Sequence, residues 1–245
     1  MKMTKHNKSE EEYWKQVRPE SGQKLALGDY YSYVLKHDTR FLLFSLSRYK
    51  FAAKLIGEEP RLSVLELGCN EGVGTLLLAE NASHVMGVDF DGDSIKWAKG
   101  NLENNNLQFK CENFLGKRQG RFDVVVSLDV IEHILPENQE LFLETILLNL
   151  GKEGFCIVGT PNIAACQYAS KDSEEGHVCL YSAQELKALF LKGFKNVFMF
   201  GMNDEVVHTG FWGMCHYLFV LACNKREAGQ SAGEAEDRND NDKTD

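Results

Sequence analysis

Val64-Leu-Glu-Leu-Gly-Cys-Asn-Glu-Gly-Val-Gly-Thr75 is the stretch that decides the fold. A short apolar run passes through Gly68, Gly72 and Gly74 into a segment with a helix-like beginning. A parallel α/β fold uses such a strand-to-helix turn to bring its backbone against a nucleotide-like ligand. The glycines are expected to remove side chains where that ligand approaches. Glu66 adds a carboxylate at the end of the expected strand. A carboxylate there repels a pyrophosphate and suits a cationic or hydroxyl-bearing ligand. The dinucleotide fingerprint GxGxxG fails as well: it needs glycine at 68, 70 and 73, and the chain has Gly68, Asn70 and Val73.

Strand-like and helix-like segments alternate on both sides of this turn. Strands are expected at Leu62–Leu67, His84–Asp89, Gln108–Cys111, Phe122–Leu128, Gly154–Thr160, Lys195–Gly201 and His216–Ala222. Several are continuous apolar runs, as strands covered on both faces must be. Helices are expected at Phe41–Ile56, Thr75–Glu80, Ser94–Asn104, Glu137–Leu150 and Ser182–Leu191. Asp93 or Ser94 is the expected cap of one, Pro136 fits a first turn, and Ser182-Ala-Gln-Glu185 matches a capping box. Gly151 and Gly193 fit helix C-terminal positions. The pattern predicts a single doubly wound, mostly parallel seven-stranded sheet with helices on both faces. Its ligand belongs at the carboxyl ends of the strands, near the topological switch point.

Two further places carry chemistry. The second strand ends on Asp89-Phe90, and an acid there is placed to accept hydrogen bonds from ribose hydroxyls. The fourth strand releases Asp129, Glu132 and His133, which meet if a helical turn follows.

Glu66-x-Gly68-x-Asn70-x-Gly72-x-Gly74, Asp89 and Asp129-x-x-Glu132-His133 together resemble the class I S-adenosylmethionine (SAM)-dependent methyltransferases. Within them the acid-acid-histidine motif is similar to the small-molecule branch akin to ubiquinone-biosynthesis O-methyltransferases. Asn70 departs from the pattern by replacing the middle glycine, but asparagine tolerates a left-handed backbone. The resemblance covers about residues 60–200. It implies a Rossmann-like methyltransferase fold, SAM as cofactor, and an N-terminal helical cap over Leu25–Ile56, where Tyr30, Tyr31, His37, Arg40, Arg48 and Tyr49 lie. An arginine of that cap pairs with the methionine carboxylate or an anionic substrate, or lies on a solvated face. The implied cofactor set is Glu66, Gly68, Cys69, Asn70, Gly72, Asp89, Phe90, Asn113, Phe114 and Leu128. Asp89 would hold the ribose, Phe90 the adenine ring, and Asn113 with Phe114 the adenine edge.

The implied reaction is methyl transfer to a hydroxyl of a small molecule, such as a sugar or other biosynthetic intermediate. Histidine titrates near neutrality, so His133 is a candidate general base, with Asp129 orienting it or holding the acceptor. Alternatively Asp129, Glu132 and His133 bind a divalent metal that acidifies the hydroxyl, or Glu132 and His133 only brace their loop. His177 is a second base, a substrate ligand or a loop histidine; Asn162 and Tyr181 are lesser candidates. The polar loop Gln167–Gly176 is expected to cover substrate, and Asn203–Gly213, with His208 and Trp212, lies near the last strands. Competing readings are an N-methyltransferase, a non-catalytic SAM-binding protein and an NAD-dependent oxidoreductase.

Composition bounds the rest. At 245 residues the chain suits one α/β domain, placed at 24–223 between a polar segment, 1–23, and a disordered acidic tail, 224–245. The net charge of -9 and the missing Asn-Pro-Pro-aromatic motif after the fourth strand oppose a nucleic-acid partner. Seven cysteines, an odd number without a CxxC pair, read as reduced thiols. No secretory signal or membrane span is read, so a cytoplasmic protein is expected. The oligomeric state is left open.

Overall fold

Apolar residues on both faces of each central strand build the sheet. In the computed structural model, residues 9–17, 25–57, 61–168 and 176–227 are described. The strands are β1 (Ser63–Leu67), β2 (His84–Asp89), β3 (Leu107–Cys111), β4 (Phe122–Leu128), β5 (Leu150–Pro161), β6 (Phe194–Asn203), β7 (Val206–His208) and β8 (Tyr217–Lys225). They form one sheet in the order β3-β2-β1-β4-β5-β8-β6-β7. The five from β3 to β5 run parallel, and β8 lies antiparallel between β5 and β6.

The period-2 alternation sorts side chains into two cores. Val64, Val124 and Val126 pack with α3 (Thr39–Ile56), α4 (Thr75–Ala79) and α5 (Gly92–Asn101). Leu65, Leu67 and Val125 pack with α6 (Gln139–Asn149) and with α7 (Ala183–Leu191). Fully burying one such side chain contributes roughly 1.5–3 kcal/mol, so the strand pattern alone commits the sheet to being covered twice. Two more helices precede: α1 (Glu10–Val17), which buries no residue, and α2 (Asp29–His37). Asp38 joins α2 to α3 and caps the latter, accepting from the Phe41 amide at 3.0 Å.

The chain departs from expectation at particular points. The sheet has eight strands, not seven, because Asp204, at a φ of +50°, lets β6 turn back into the three-residue β7. The cap of α5 is Asp91, whose carboxylate accepts from the Asp93 amide at 3.1 Å and from the Ser94 hydroxyl at 2.6 Å. Gly151 belongs to β5, since Leu150 is already extended. The Ser182–Glu185 capping box is present. Asn224 and Lys225, expected in the tail, complete β8. The tail from residue 228, residues 1–8 and 18–24, and residues 169–175 of the expected substrate loop lie outside the described residues. Among the described residues no helix is long and apolar enough to cross a membrane.

β1 and β4 are neighbours, with Val64 opposite Val124 and Glu66 opposite Val126. From β1 the chain winds toward β2 and β3, whereas β4 and β5 build the other half of the sheet. The carboxyl ends of β1 and β4 therefore meet at the topological switch, the place where this architecture leaves a crevice.

The glycines after β1 give a direct stability test. Gly72 has a φ of +76°, and a Cβ there would lie 2.4 Å from the Phe109 ring. Gly57 has a φ of +79° but open space around its Cβ position. Gly72→Ala is expected to destabilise the protein by about 1–3 kcal/mol more than Gly57→Ala in urea denaturation, because only the first adds overpacking to backbone strain. Equal losses would refute that account.

Candidate active site

The loop after β1 is held by its own backbone and by packing. Gly68, Asn70 and Gly72 take positive φ values of 82°, 49° and 76°. A Cβ on Gly68 would lie 2.3 Å from Val130, and one on Gly74 would lie 2.3 Å from the Tyr49 ring. The protein fills the side toward which a Cβ would project, so the glycines let the loop lie flat on its neighbours. Asn70 fits the left-handed position and bonds from both ends. Its amide donates to Asp89 Oδ2 at 2.8 Å, and its Oδ1 accepts from the Glu71 amide at 2.5 Å.

Glu66 lies on the Val64 face of β1 and is fully buried rather than exposed at the strand end. Burial, helped by the charge of Asp89, pushes its carboxyl up to about 7. The hydroxyls of Thr75 and Tyr49 favour the ionised form, although neither closes a well-formed hydrogen bond to it.

β2 ends on Asp89. Besides Asn70, it accepts from the Asp91 amide at 3.0 Å through Oδ1, so its carboxylate is fixed with lone pairs to spare. Phe90 beside it is 75% exposed. Asn113 is exposed and accepts from the Leu115 amide at 3.2 Å.

β4 releases Asp129 at a φ of +57°. Its Oδ1 lies 2.6 Å from Arg48 Nη1, on α3. The guanidinium also sits 4.0 Å from the ring centre of Tyr217, on β8. Burial works against the charge on Arg48, but Asp129 outweighs it and holds the guanidinium above its ordinary pKa. A 3-10 turn, Ile131–His133, follows. Glu132 is fully buried and accepts from the Thr160 hydroxyl at 3.0 Å. Burial first, then the charge of Asp129, pushes its carboxyl up to about 8, so it is mostly protonated at neutral pH.

His133 is exposed, with Nδ1 2.8 Å from the Gly176 carbonyl oxygen. A carbonyl only accepts, so Nδ1 donates, and in the neutral ring the lone pair is on Nε2. The group that orients His133 is therefore Gly176 rather than Asp129, which is engaged by Arg48. The loop after Gly176 is pinned to the same turn: the amides of Val178 and Cys179 donate to the Glu132 carbonyl at 2.9 and 3.1 Å. This brings the His177 ring to 5.1 Å from that of His133. Burial and then His133 lower the His177 pKa, favouring its neutral form.

A family profile described as a methyltransferase domain matches residues 34–197. The chain belongs to that methyltransferase domain family. A ubiquinone biosynthesis O-methyltransferase of Coxiella burnetii is 30% identical over 114 residues, covering 39% of this chain and 48% of that protein. The chain spans between about a third and a half of the length of the curated relatives it matches. Two solved structures share the fold. The N-methyltransferase NodS of Bradyrhizobium japonicum has a TM-score of 0.57 at 16% identity, covering 75% of this chain and 97% of that one. The plantazolicin methyltransferase BpumL in complex with SAH has a TM-score of 0.58 at 17% identity, covering 80% of this chain and 88% of that one.

The chain thus carries a methyltransferase domain with SAM as its cofactor. The residues present fit that group: a left-handed loop at the end of β1, a fixed carboxylate at Asp89 and an uncovered aromatic ring at Phe90. Other members of the expected cofactor set lie elsewhere. Phe114 is 5% exposed and packs against Phe142, so its ring is a core residue. Cys69 and Leu128 are buried in the opposite core and can offer a ligand only backbone. Asn162 is a brace, donating to the carbonyls of Trp212 and Cys215 at 2.7 and 2.8 Å, and Tyr181 is buried beside it. The His37 ring lies tilted against that of Tyr33, and Arg40 is exposed.

Among the residues gathered here, the sequence alone assigns no role to Thr160, Gly176 or Tyr217. Thr160 stands beside Pro161 and Asn162, which mark the end of β5, but the others have no local signal.

The Glu132 pKa in the fold lies above its ordinary value of 4.5. Its contribution to stability is fully present below about pH 4.5 and is lost as pH rises through about 8. Stability in urea is therefore expected to fall across that window, and Glu132→Gln, neutral at every pH, should flatten the decline. An unchanged pH profile in the variant would show that Glu132 ionises freely.

Proposed function

We propose that this methyltransferase transfers a methyl group to a hydroxyl of a small molecule, with His133 as general base. The observation that carries the reading is the His133–Gly176 hydrogen bond, which leaves Nε2 of the neutral ring as the proton-accepting nitrogen in the turn after β4. A hydroxyl must give up a proton to become a good nucleophile, whereas a neutral amine already has its lone pair. A fixed acceptor nitrogen therefore favours oxygen over nitrogen. The Coxiella relative named for O-methylation agrees with this choice; NodS, named for N-methylation, supports the fold alone at its level of identity. The net charge of -9 favours a small acceptor over a nucleic acid.

When bound, SAM supplies the methyl group on a sulfonium leaving group. The chain's residues hold the parts in line, and such alignment contributes roughly 7–11 kcal/mol. Asp89 would hold the ribose hydroxyls, and Phe90 would cover the adenine. His133 Nε2 would take the acceptor proton, while neutral His177 would hold the acceptor beside it. Asp129, already paired with Arg48, would set a fixed charge at the floor of the site rather than move a proton.

A second reading rests on a different observation. One ligand atom each from Glu132, His133 and His177 lie within 4.8 Å of one another, close enough to share a divalent cation. The set differs from the expected Asp129, Glu132 and His133, because Arg48 engages Asp129. A cation there would acidify the acceptor hydroxyl directly.

His133→Ala is expected to lower turnover by about 10²–10⁴-fold with little change in SAM affinity, and Asp89→Ala to weaken SAM binding by calorimetry. Unchanged turnover in the His133 variant would remove its base role. Activity that survives exhaustive chelation supports the base reading; activity lost and restored by added magnesium or manganese supports the cation.

A further inference from the structure

α2 begins without a cap of its own. Gly28, at its N-cap, offers no side chain, yet the first-turn amides need acceptors. Glu71, from the cofactor loop, supplies them. The amides of Tyr30 and Tyr31 donate to its Oε1 and Oε2 at 2.8 and 3.1 Å, and the residue is 3% exposed. Gly28 makes room for this carboxylate, since a Cβ there would lie 2.3 Å from it. Positions 28 and 71 are thus matched to one contact across 43 residues of chain.

The contact is the last link of a continuous run. Asp89 accepts from the Asn70 amide, Asn70 Oδ1 accepts from the Glu71 amide, and Glu71 accepts from α2. At the far end α2 carries two tyrosines into the site. Tyr31 is buried, and the hydroxyl of the partly exposed Tyr30 feels the charges of Asp129, Arg48 and Glu71.

We propose that Glu71 is a positioning residue that latches the helical cap α2 to the cofactor loop, so that ordering of the loop by SAM and seating of Tyr30 over the acceptor side occur together. A carboxylate at a helix N-terminus is favourable both as cap and against the helix dipole. Coupling of this kind is reciprocal: whatever steadies the loop steadies α2, and the reverse. Trp97 Nε1 holds the preceding Ala26 carbonyl at 3.2 Å, so loss of the latch frees the start of α2 without detaching its approach. The inference rests on SAM as the loop's ligand and is independent of the choice between oxygen and nitrogen acceptors.

The test is amide hydrogen exchange on the full chain, with and without S-adenosylhomocysteine, together with its calorimetric Kd. Glu71→Ala is expected to speed exchange in Asp29–His37 about tenfold without ligand, to leave the central strands unchanged, and to weaken the Kd about three- to tenfold. Glu71→Gln, which keeps one acceptor oxygen, should recover part of both effects. Gly28→Ala should reproduce them with Glu71 intact, and it serves if the first variant does not fold. Wild-type exchange in α2 and wild-type affinity in these variants would overturn the latch, as would acceleration spread equally over the sheet. Failure of the wild-type protein to bind S-adenosylhomocysteine would instead overturn the loop's ligand, while exchange in α2 still reads the tether.

Discussion

The backbone of Gly68 lies against the Val130 side chain with no room for a Cβ between them. That contact joins the loop after β1, which carries Asn70 and Glu71, to the loop after β4, which carries Asp129, Glu132 and His133. It exists because β1 and β4 are hydrogen-bonded neighbours whose onward paths diverge. The left-handed glycine permits the close approach, and Asp129, also left-handed, turns the second loop to meet it. The crevice is therefore a product of sheet order, with the glycines serving to press two loops together.

Charge is distributed unevenly around that junction. Glu66 and Glu132 are fully buried, and burial holds both carboxyls well above the usual range. Asp129, partly buried, has the guanidinium of Arg48 as its partner. Removing one member of such a pair is more damaging than the pair's net worth, because the other is left uncompensated. The three acids of this region thus have separate roles: Glu66 beneath the cofactor loop, Glu132 bracing the turn through Thr160, and Asp129 tied to α3.

What the sequence made legible followed from local rules. Continuous apolar runs located the strands, and Ser182-x-x-Glu185 located a helix start. Asn70 was readable as a left-handed residue from its chemistry alone. What stayed hidden depended on partners distant in the chain. The glycines at 68, 72 and 74 look ligand-facing until Val130, Phe109 and Tyr49 are placed against them. Phe114 follows a loop asparagine, yet its ring turns inward onto Phe142. Asp129 sits beside Glu132 and His133 in sequence, but Arg48, 81 residues away, engages its charge. Glu71 has no motif at all; only the uncapped start of α2 gives it a function.

The position of β8 bears on how the protein is made. Among the described residues this strand is the last in order, yet it fills an interior place between β5 and β6. A ribosome that has released everything through β7 has produced both loops, the two histidines and the helical cap, but not the ring that lies over Arg48. Tyr217 arrives with β8, antiparallel to strands already synthesised. Such late, non-local pairing is slow. Until it happens, β5 and β6 present open edges of the kind that recruit chaperones or stray partners. A chain cut short before β8 keeps the visible motifs and lacks a wall of the site.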